Sequence, residues 1–189
     1  MLTELGPLPI PLILFVCIGF CLCTVGITAS TVSLEGRSLW ILKEAPLSTG
    51  DIFAAKAGFQ MLLSLPFVAV TVGLLWYVFG LTALEGAALL AASLLLSAAV
   101  SLAGLLLNLF FPKMDAPNDT MVVKNSTAAF LAVFADLLLL AGAGFFCFAL
   151  ETPLGQGGSL LAAALLLAAV TAVLVAVLNT KGRKLFAEL

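Results

Sequence analysis

The sequence predicts an all-α membrane protein, a polytopic helix bundle with about five transmembrane helices and one short interfacial helix. Hydrophobic residues make up 63% of the chain and charged residues 10%, whereas soluble domains carry about 25% charged residues. The uncharged stretches between Glu4 and Glu35 and between Lys56 and Glu85 exceed the roughly 20 apolar residues that a membrane span needs. In lipid the backbone must satisfy its own hydrogen bonds, so these stretches are predicted to be helices.

The spans are placed by the gaps between charged residues, within one transmembrane domain that covers residues 1–189. We expect them near 8–32, 52–80, 83–111, 126–150 and 158–180. The third span is rich in alanine, serine and glycine, which let membrane helices approach one another closely. Pro66 lies inside the second span, where it should kink the helix.

The distribution of lysine and arginine predicts the orientation of the bundle. The chain has eight such residues, and they fall in three regions, Arg37–Lys56, Lys113–Lys124 and Lys181–Lys184. With five spans, all three regions face one side, which the positive-inside rule identifies as the cytoplasm. We therefore expect a multi-pass protein of the bacterial inner (plasma) membrane, with its N-terminus outside and its C-terminus in the cytoplasm.

The start of the chain carries a second expectation. No basic residue precedes the first apolar stretch, which argues against a cleaved signal peptide. A five-span chain that begins outside the cell, with no lysine or arginine ahead of its first span, fits the C-terminal part or one half of a longer protein.

The first polar connection, residues 33–47, predicts a short interfacial helix. Leu34, Ile41, Leu42 and Ala45 share one arc of a helical wheel, opposite the charged residues, as in helices that lie in the membrane interface. Pro46 should end this helix, and Ser48 with Asp51 resembles a capping box that starts the next one. Two interpretations remain open for this helix, namely a lipid anchor with Trp40 at headgroup level or a docking element for a cytoplasmic partner.

Two segments resemble a known family. Residues 35–48 read EGRSLWILKEAPLS, and residues 108–126 read NLFFPKMDAPNDTMVVKNS. In order and spacing they are similar to the two cytoplasmic segments of bacterial ABC-type exporter permeases of the type-2 class, which contain EGK-x-x-W-I-L-K-x-x-P-x-S and F-P-K-x-D-W-x-N-E followed by V-V-K-x-S. The sequence departs from that pattern at Ala116, where the family usually has Trp, and at Asp119, where it has Glu.

The resemblance covers roughly residues 30 to 130 and implies a permease subunit. Such a subunit works with an ATP-binding cassette ATPase and as a homodimer or with a second permease half. It also favours the docking interpretation of the 33–47 segment, with Glu35, Arg37, Trp40 and Lys43 as the partner-docking residues. Permease units of this kind typically have six spans, so five spans fit a unit that lacks its first.

Asp136 is the one charged residue inside the fourth predicted span. An acid at the middle of a span costs about 2.5–3.5 kcal/mol on insertion scales, so its side chain should face protein or water. It is a candidate for the translocation path. The alternative is a structural aspartate that is hydrogen-bonded to a hydroxyl of a neighbouring span, such as Ser93, Ser97 or Ser101.

The sequence holds no motif for catalysis or nucleotide binding. It lacks a Walker A motif and the common hydrolase signatures, so we expect no enzymatic activity, no cofactor and no nucleic-acid partner. Its four cysteines lie in apolar stretches and it has no histidine, so we expect core- or lipid-facing cysteines and no metal site. The leading hypothesis is an exporter permease, and the alternative is a non-transporting membrane scaffold or assembly protein.

Overall fold

The computed structural model describes residues 9–36, 39–44, 46–113 and 126–188, and the regular structure in these ranges is entirely helical. This confirms the all-α prediction. The elements are α1 (Ile10–Thr24), a 3-10 turn (Thr28–Ser30), α2 (Leu39–Glu44), α3 (Thr49–Phe79), α4 (Ala83–Phe110), α5 (Thr127–Val177), a π-helical turn (Leu178–Gly182) and α6 (Arg183–Glu188). Arg37, Ala116 and Asp119 lie outside the described residues.

Within the described ranges, four helical stretches are long and apolar enough to cross a membrane. They are Ile10–Ser30, Thr49–Phe79, Ala83–Phe110 and Thr127–Glu188. Their length and composition are those of a membrane protein, as the sequence predicts. The last of them is 62 residues long, which as one straight helix would measure about 93 Å and far exceed any bilayer.

Helix α5 reverses direction at Gly155. This residue has φ +70° and ψ 176°, a backbone conformation that is accessible to glycine and strained for other residues. The Sγ of Cys147 lies 3.4 Å from the Oγ of Ser159, although twelve residues of continuous helix would separate them by about 18 Å. The helix therefore consists of two arms, 127–154 and 156–177, that fold back on each other.

The second arm runs alongside α4 over its whole length. At one end, a Cβ on Gly157 would lie 3.0 Å from the side chain of Leu84, and at the other end a Cβ on Gly182 would lie 3.5 Å from Leu109. Both pairs are separated by 25 residues along their own helices, so the arm and α4 are parallel and in register. The sequence predicts a connection between the spans 126–150 and 158–180. In the structure the helix continues through this region, and Gly155 is the residue with a non-helical backbone.

Local capping begins three of the long helices. The hydroxyl of Ser48 accepts a hydrogen bond from the backbone N–H of Asp51, whose carboxylate accepts the backbone N–H of Ser48 in return, which confirms the predicted capping box. Thr82 and Glu85 form a second capping box at the start of α4. Ser126 caps α5, because its hydroxyl accepts a hydrogen bond from the backbone N–H of Ala129.

The core has two clusters, with α4 at the centre of both. The larger cluster joins α1, α4 and both arms of α5 through residues such as Phe15, Leu96, Leu140 and Leu167. The smaller cluster lies where α3 begins and α4 ends; it consists of Val32, Leu39, Ile52, Phe53, Leu105, Leu109, Leu178 and Phe186. The described lysine and arginine side chains all belong to segments at this second location, which we call the basic end.

Two details of the first connection differ from the sequence prediction. Helix α1 ends at Thr24, and an irregular stretch precedes the 3-10 turn. In this connection the helix α2 spans only Leu39–Glu44, because residues 31–35 form turns. Leu34 and Ile41 are 40% and 56% exposed, whereas Leu39, which was not assigned to the apolar arc, is 5% exposed and packs in the smaller cluster.

Candidate functional site

Asn108, in the last turn of α4, fastens the first connection to the bundle. Its Oδ1 accepts the backbone N–H groups of Val32 and Ser33 at 2.8 and 3.1 Å, and its Nδ2 donates to the Ser33 hydroxyl at 2.8 Å. The same hydroxyl accepts the backbone N–H of Lys113 at 2.9 Å. Because Asn108 is fully buried, these bonds satisfy a set of polar groups that would each be costly to bury alone.

Gln60, on α3, holds the turn that precedes this point. Its Oε1 accepts both the backbone N–H and the hydroxyl of Thr28 at 3.1 Å. On the opposite side of the turn, Gly104 of α4 allows close approach, since a Cβ there would lie 2.7 Å from the Thr28 hydroxyl and 3.1 Å from the backbone nitrogen of Ala29. The 3-10 turn is therefore wedged between α3 and α4.

An ion pair completes the attachment. The Nζ of Lys56 on α3 pairs with Glu35 and also donates to the carbonyl of Thr31 at 3.2 Å. The two side chains are 12% and 25% exposed, so the pair is partly shielded from solvent. We call Asn108, Gln60 and the Glu35–Lys56 pair the polar clasp.

One predicted docking residue, Glu35, belongs to the polar clasp. Glu35 contacts Lys56 of its own chain, so within the described structure it positions the connection. Arg37 lies outside the described residues, and Trp40 and Lys43 lie on α2, whose backbone is described. Along the chain α2 lies between the clasp and the capped start of α3, and its residue Leu39 packs in the smaller cluster with residues of α3 and α4.

Sequence reasoning missed Asn108 and Gln60. Both are uncharged polar residues inside apolar helical stretches, and an amide in such a stretch is expected to find a hydrogen-bond partner in another helix. That signal indicates that a partner exists, but it does not identify a connection 76 residues away.

Asp136 lies inside the bundle, as its cost in lipid predicts. It is 1% exposed, and its backbone carbonyl accepts a hydrogen bond from the Sγ of Cys23 on α1 at 3.3 Å. Neither carboxylate oxygen has a hydrogen-bond partner among the described residues. A buried carboxyl group with free acceptor positions is a site at which a polar group or a proton could bind.

The predicted hydroxyl partners of Asp136 are wrong. The Oγ of Ser97 lies 2.6 Å from the Oγ of Ser64, and the hydroxyl of Ser101 donates to the carbonyl of Ala57 at 3.1 Å. Both hydroxyls are therefore turned towards α3. The hydroxyl of Ser93 is buried and has no partner in the described part of the chain. The contact of Asp136 with α1 is made by its backbone carbonyl, which accepts from Cys23.

The cysteines occupy apolar positions, as expected from the sequence. Cys23 and Cys147 are buried, while Cys17 and Cys21 are exposed on the outside of α1. Among the described residues no three His, Cys, Asp or Glu side chains gather into a group that could hold a metal ion.

Comparison of the chain with protein-family models, with curated proteins and with solved structures gave no match in any of the three sets. The functional proposal below therefore depends on the two sequence segments described above, together with the contacts of the polar clasp and the placement of Asp136.

Proposed function

We propose that this chain is the membrane permease subunit of an ABC-type exporter, which moves a substrate with energy from a separate ATPase. The observation that carries the proposal is the polar clasp, because it joins the segment that resembles a family docking element to two long helices. A lipid anchor has no need of such an attachment. A coupling element requires one, since motion must pass from the ATPase to the spans.

The proposal includes five crossings of the bacterial plasma membrane. The two arms of α5, 127–154 and 156–177, are each longer than the roughly 20 residues that a crossing needs, and α1, α3 and α4 supply the others. The connections at the far end from the clasp, Leu81–Thr82 and Gly155, contain no lysine or arginine. The positive-inside rule then supports a cytoplasmic basic end, with the N-terminus outside.

The proposed mechanism is alternating access in a dimer of this chain or with a second permease half. The ATPase docks against α2 through Arg37, Trp40 and Lys43, and its closure displaces α2. Asn108 passes that displacement to α4, while Gln60 and Lys56 pass it to α3. Asp136 is proposed to line the path, since its carboxylate oxygens are free for a cargo or a proton.

The test of docking is co-purification with an ATP-binding subunit. The tagged chain is co-expressed with the ATP-binding subunits of its own genome, and the bound subunit and its ATPase activity are measured. Trp40→Ala should reduce the co-purified ATPase several-fold while the chain remains inserted. Tyr77→Ala is the matched control, because Tyr77 is an aromatic residue that is 89% exposed near the opposite end of α3.

Two results would overturn the assignment. If the ATPase binds the Trp40→Ala variant as well as it binds the original chain, with hydrolysis still coupled, then α2 is not the docking element. If the original chain recovers no ATP-binding subunit from native membranes, the chain is better described as a scaffold. Asp136→Leu is tested in the same complex, and unchanged activity with unchanged folding would remove Asp136 from the path.

A further inference from the structure

A cavity of about 460 Å³ opens between the end of α1 and the middle of α3. Ligand pockets in proteins typically measure roughly 300–1,000 Å³, so its size suits a ligand. It is present because the helical path of α1 stops at Thr24 and the chain turns towards α3 through Val25 and Ile27, which both line it. Most of its wall is apolar.

The cavity is open on the side that faces lipid. Phe20, Leu63 and Phe67 line it and are 55%, 49% and 46% exposed. All three lie within stretches that are long and apolar enough to cross a membrane. A molecule can therefore enter this cavity from the bilayer without passing through water.

One polar group in the cavity is unused. Gln60 lines it, and the backbone N–H of Thr28 bonds to one atom of its side-chain amide. A backbone N–H can only donate, so that atom is the oxygen and the other atom is the Nε2 donor. Among the described residues Nε2 has no hydrogen-bond partner, and a ligand that fits must offer it an acceptor.

The two hydroxyl groups in the wall are already occupied as donors. The hydroxyl of Thr24 donates to carbonyl oxygens of its own helix. The hydroxyl of Ser64 is bonded to Ser97 and to the carbonyl of Met61. The cavity therefore combines a long apolar wall with the amide nitrogen of Gln60 as its strong donor, beside the weak thiol donor of Cys21.

The depth of Gln60 indicates the source of that acceptor. It lies one helical turn beyond Lys56, which is the last charged residue of α3 before a long uncharged stretch. One turn measures about 5.4 Å, and the polar interface on each side of a bilayer is about 5–7 Å thick. Gln60 thus lies near the boundary between headgroups and hydrocarbon, where the ester carbonyls of a diacyl phospholipid are found.

We propose that this cavity binds one membrane phospholipid, with an acyl chain between α1 and α3 and an ester carbonyl that accepts a hydrogen bond from Nε2 of Gln60. The proposal requires α1 and α3 to lie in the bilayer, and it does not depend on an ATPase. It also gives a role to the irregular stretch after α1, because Val25 and Ile27 of that stretch line the space proposed for the acyl chain.

The first test compares two phospholipids that differ only in the carbonyl. The purified, delipidated chain is titrated with dioleoyl phosphatidylglycerol or with its dialkyl-ether analogue, which lacks ester carbonyls, and native mass spectrometry counts the lipids retained. Loss of one hydrogen bond corresponds to roughly a three- to tenfold weaker retention. We expect the original chain to prefer the ester lipid by this factor and Gln60→Met to show no preference.

The second test fills the cavity and does not alter the clasp. Leu63→Trp should reduce retention of both lipids by more than tenfold, because the indole occupies the space of the acyl chain. Leu62→Trp is the matched control, since Leu62 is the neighbouring residue, is 71% exposed and does not line the cavity; it should retain lipid normally.

Three results would overturn the proposal. Equal retention of ester and ether lipids by the original chain would show that no carbonyl is recognised. Equal effects of Leu63→Trp and Leu62→Trp would show that lipid binds elsewhere. Recovery of the chain with a non-lipid molecule that the ester lipid cannot displace would assign the cavity to that other ligand.

Discussion

Helices α3 and α4 are nearly alike in sequence character and opposite in placement. Their mean hydropathies are 2.1 and 2.3 over the most apolar part of each, and their lengths are 31 and 28 residues. Yet α4 is at the centre of the bundle, with Ala88, Leu96 and Ser101 fully buried, whereas α3 is at the periphery, with Leu62 and Val70 71% and 62% exposed.

The difference shows that hydropathy does not decide which helix is central. Lipid is as apolar as a leucine side chain, so burial of apolar surface gives no preference between protein and bilayer. Close packing and interhelical hydrogen bonds decide instead. Helix α4 has a face of alanine, serine and glycine and ends in Asn108, while most of α3 presents large side chains that no other described helix covers.

The largest effect is expected from Asn108→Leu. This change leaves the backbone N–H groups of Val32 and Ser33 buried without a partner, at about 1–3 kcal/mol for each group. Unfolding of the purified protein in mixed micelles should detect the loss, and the first connection should become sensitive to protease. Asn179→Leu is the control, because Asn179 is exposed and its side-chain oxygen accepts a hydrogen bond from Arg183 of its own helical segment; an equal loss there would contradict the role of the clasp.

The next effect is a contrast between two mid-helix glycines. Gly104→Ala on α4 forces a methyl group against the Thr28 hydroxyl and the backbone of Ala29, and overpacking of this kind costs about 1–3 kcal/mol. Gly58→Ala on α3 meets no atom within 4 Å and should stabilise the helix by about 0.5–1 kcal/mol. The measurement is the midpoint of thermal unfolding for each variant. If both variants shift the unfolding midpoint in the same direction, then α4 is not more tightly packed at Gly104 than α3 is at Gly58.

A smaller effect is expected from the Glu35–Lys56 pair. Ion pairs that retain solvent access contribute about 0.2–1 kcal/mol, and this pair is partly exposed. Lys56→Met should therefore lower the free energy of unfolding by that amount. The difference between the variant and the original chain should shrink as salt is added, because salt screens the ion pair in the original chain. The double exchange Glu35→Lys with Lys56→Glu should recover part of the loss. No recovery would indicate that the bond from Lys56 to Thr31 accounts for the effect.

The smallest effect concerns the hydroxyl contact between α3 and α4. The hydroxyl oxygens of Ser64 and Ser97 lie 2.6 Å apart. Interhelical hydrogen bonds of this kind average about 0.6 kcal/mol in double-mutant cycles. A cycle of Ser64→Ala and Ser97→Ala should give a coupling energy of that size. A coupling near zero would leave the small residues of α4 as the main contribution to this interface.

Short-range features of the fold were accessible to sequence reasoning. Ser48 with Asp51 and Ser126 are recognisable from neighbouring residues, and the burial of Asp136 follows from the cost of an acid in lipid. The polar clasp was not accessible, because the Asn108 amide bonds residues that are 75 and 76 positions away. The distance between such partners depends on how the helices pack, and no local pattern encodes it.

The position of Leu39 and the break at Gly155 illustrate the same limit. A helical wheel places Leu39 at the edge of an apolar arc, whereas the bundle buries it because the smaller cluster lies on that side. Gly155 lies within a stretch that also holds two other glycines, and only the folded backbone, non-helical at Gly155, identifies the residue at which the chain turns.

The reversal at Gly155 has a mechanical consequence. A single residue joins the two arms, and the Cys147–Ser159 contact also joins them, two turns from the bend on one side and one turn on the other. Gly155 is therefore a hinge point between the two arms. Any change in their spacing grows with distance from the bend, and it is greatest beside Gly182, just past the end of the second arm, which packs against Phe53 and Leu109.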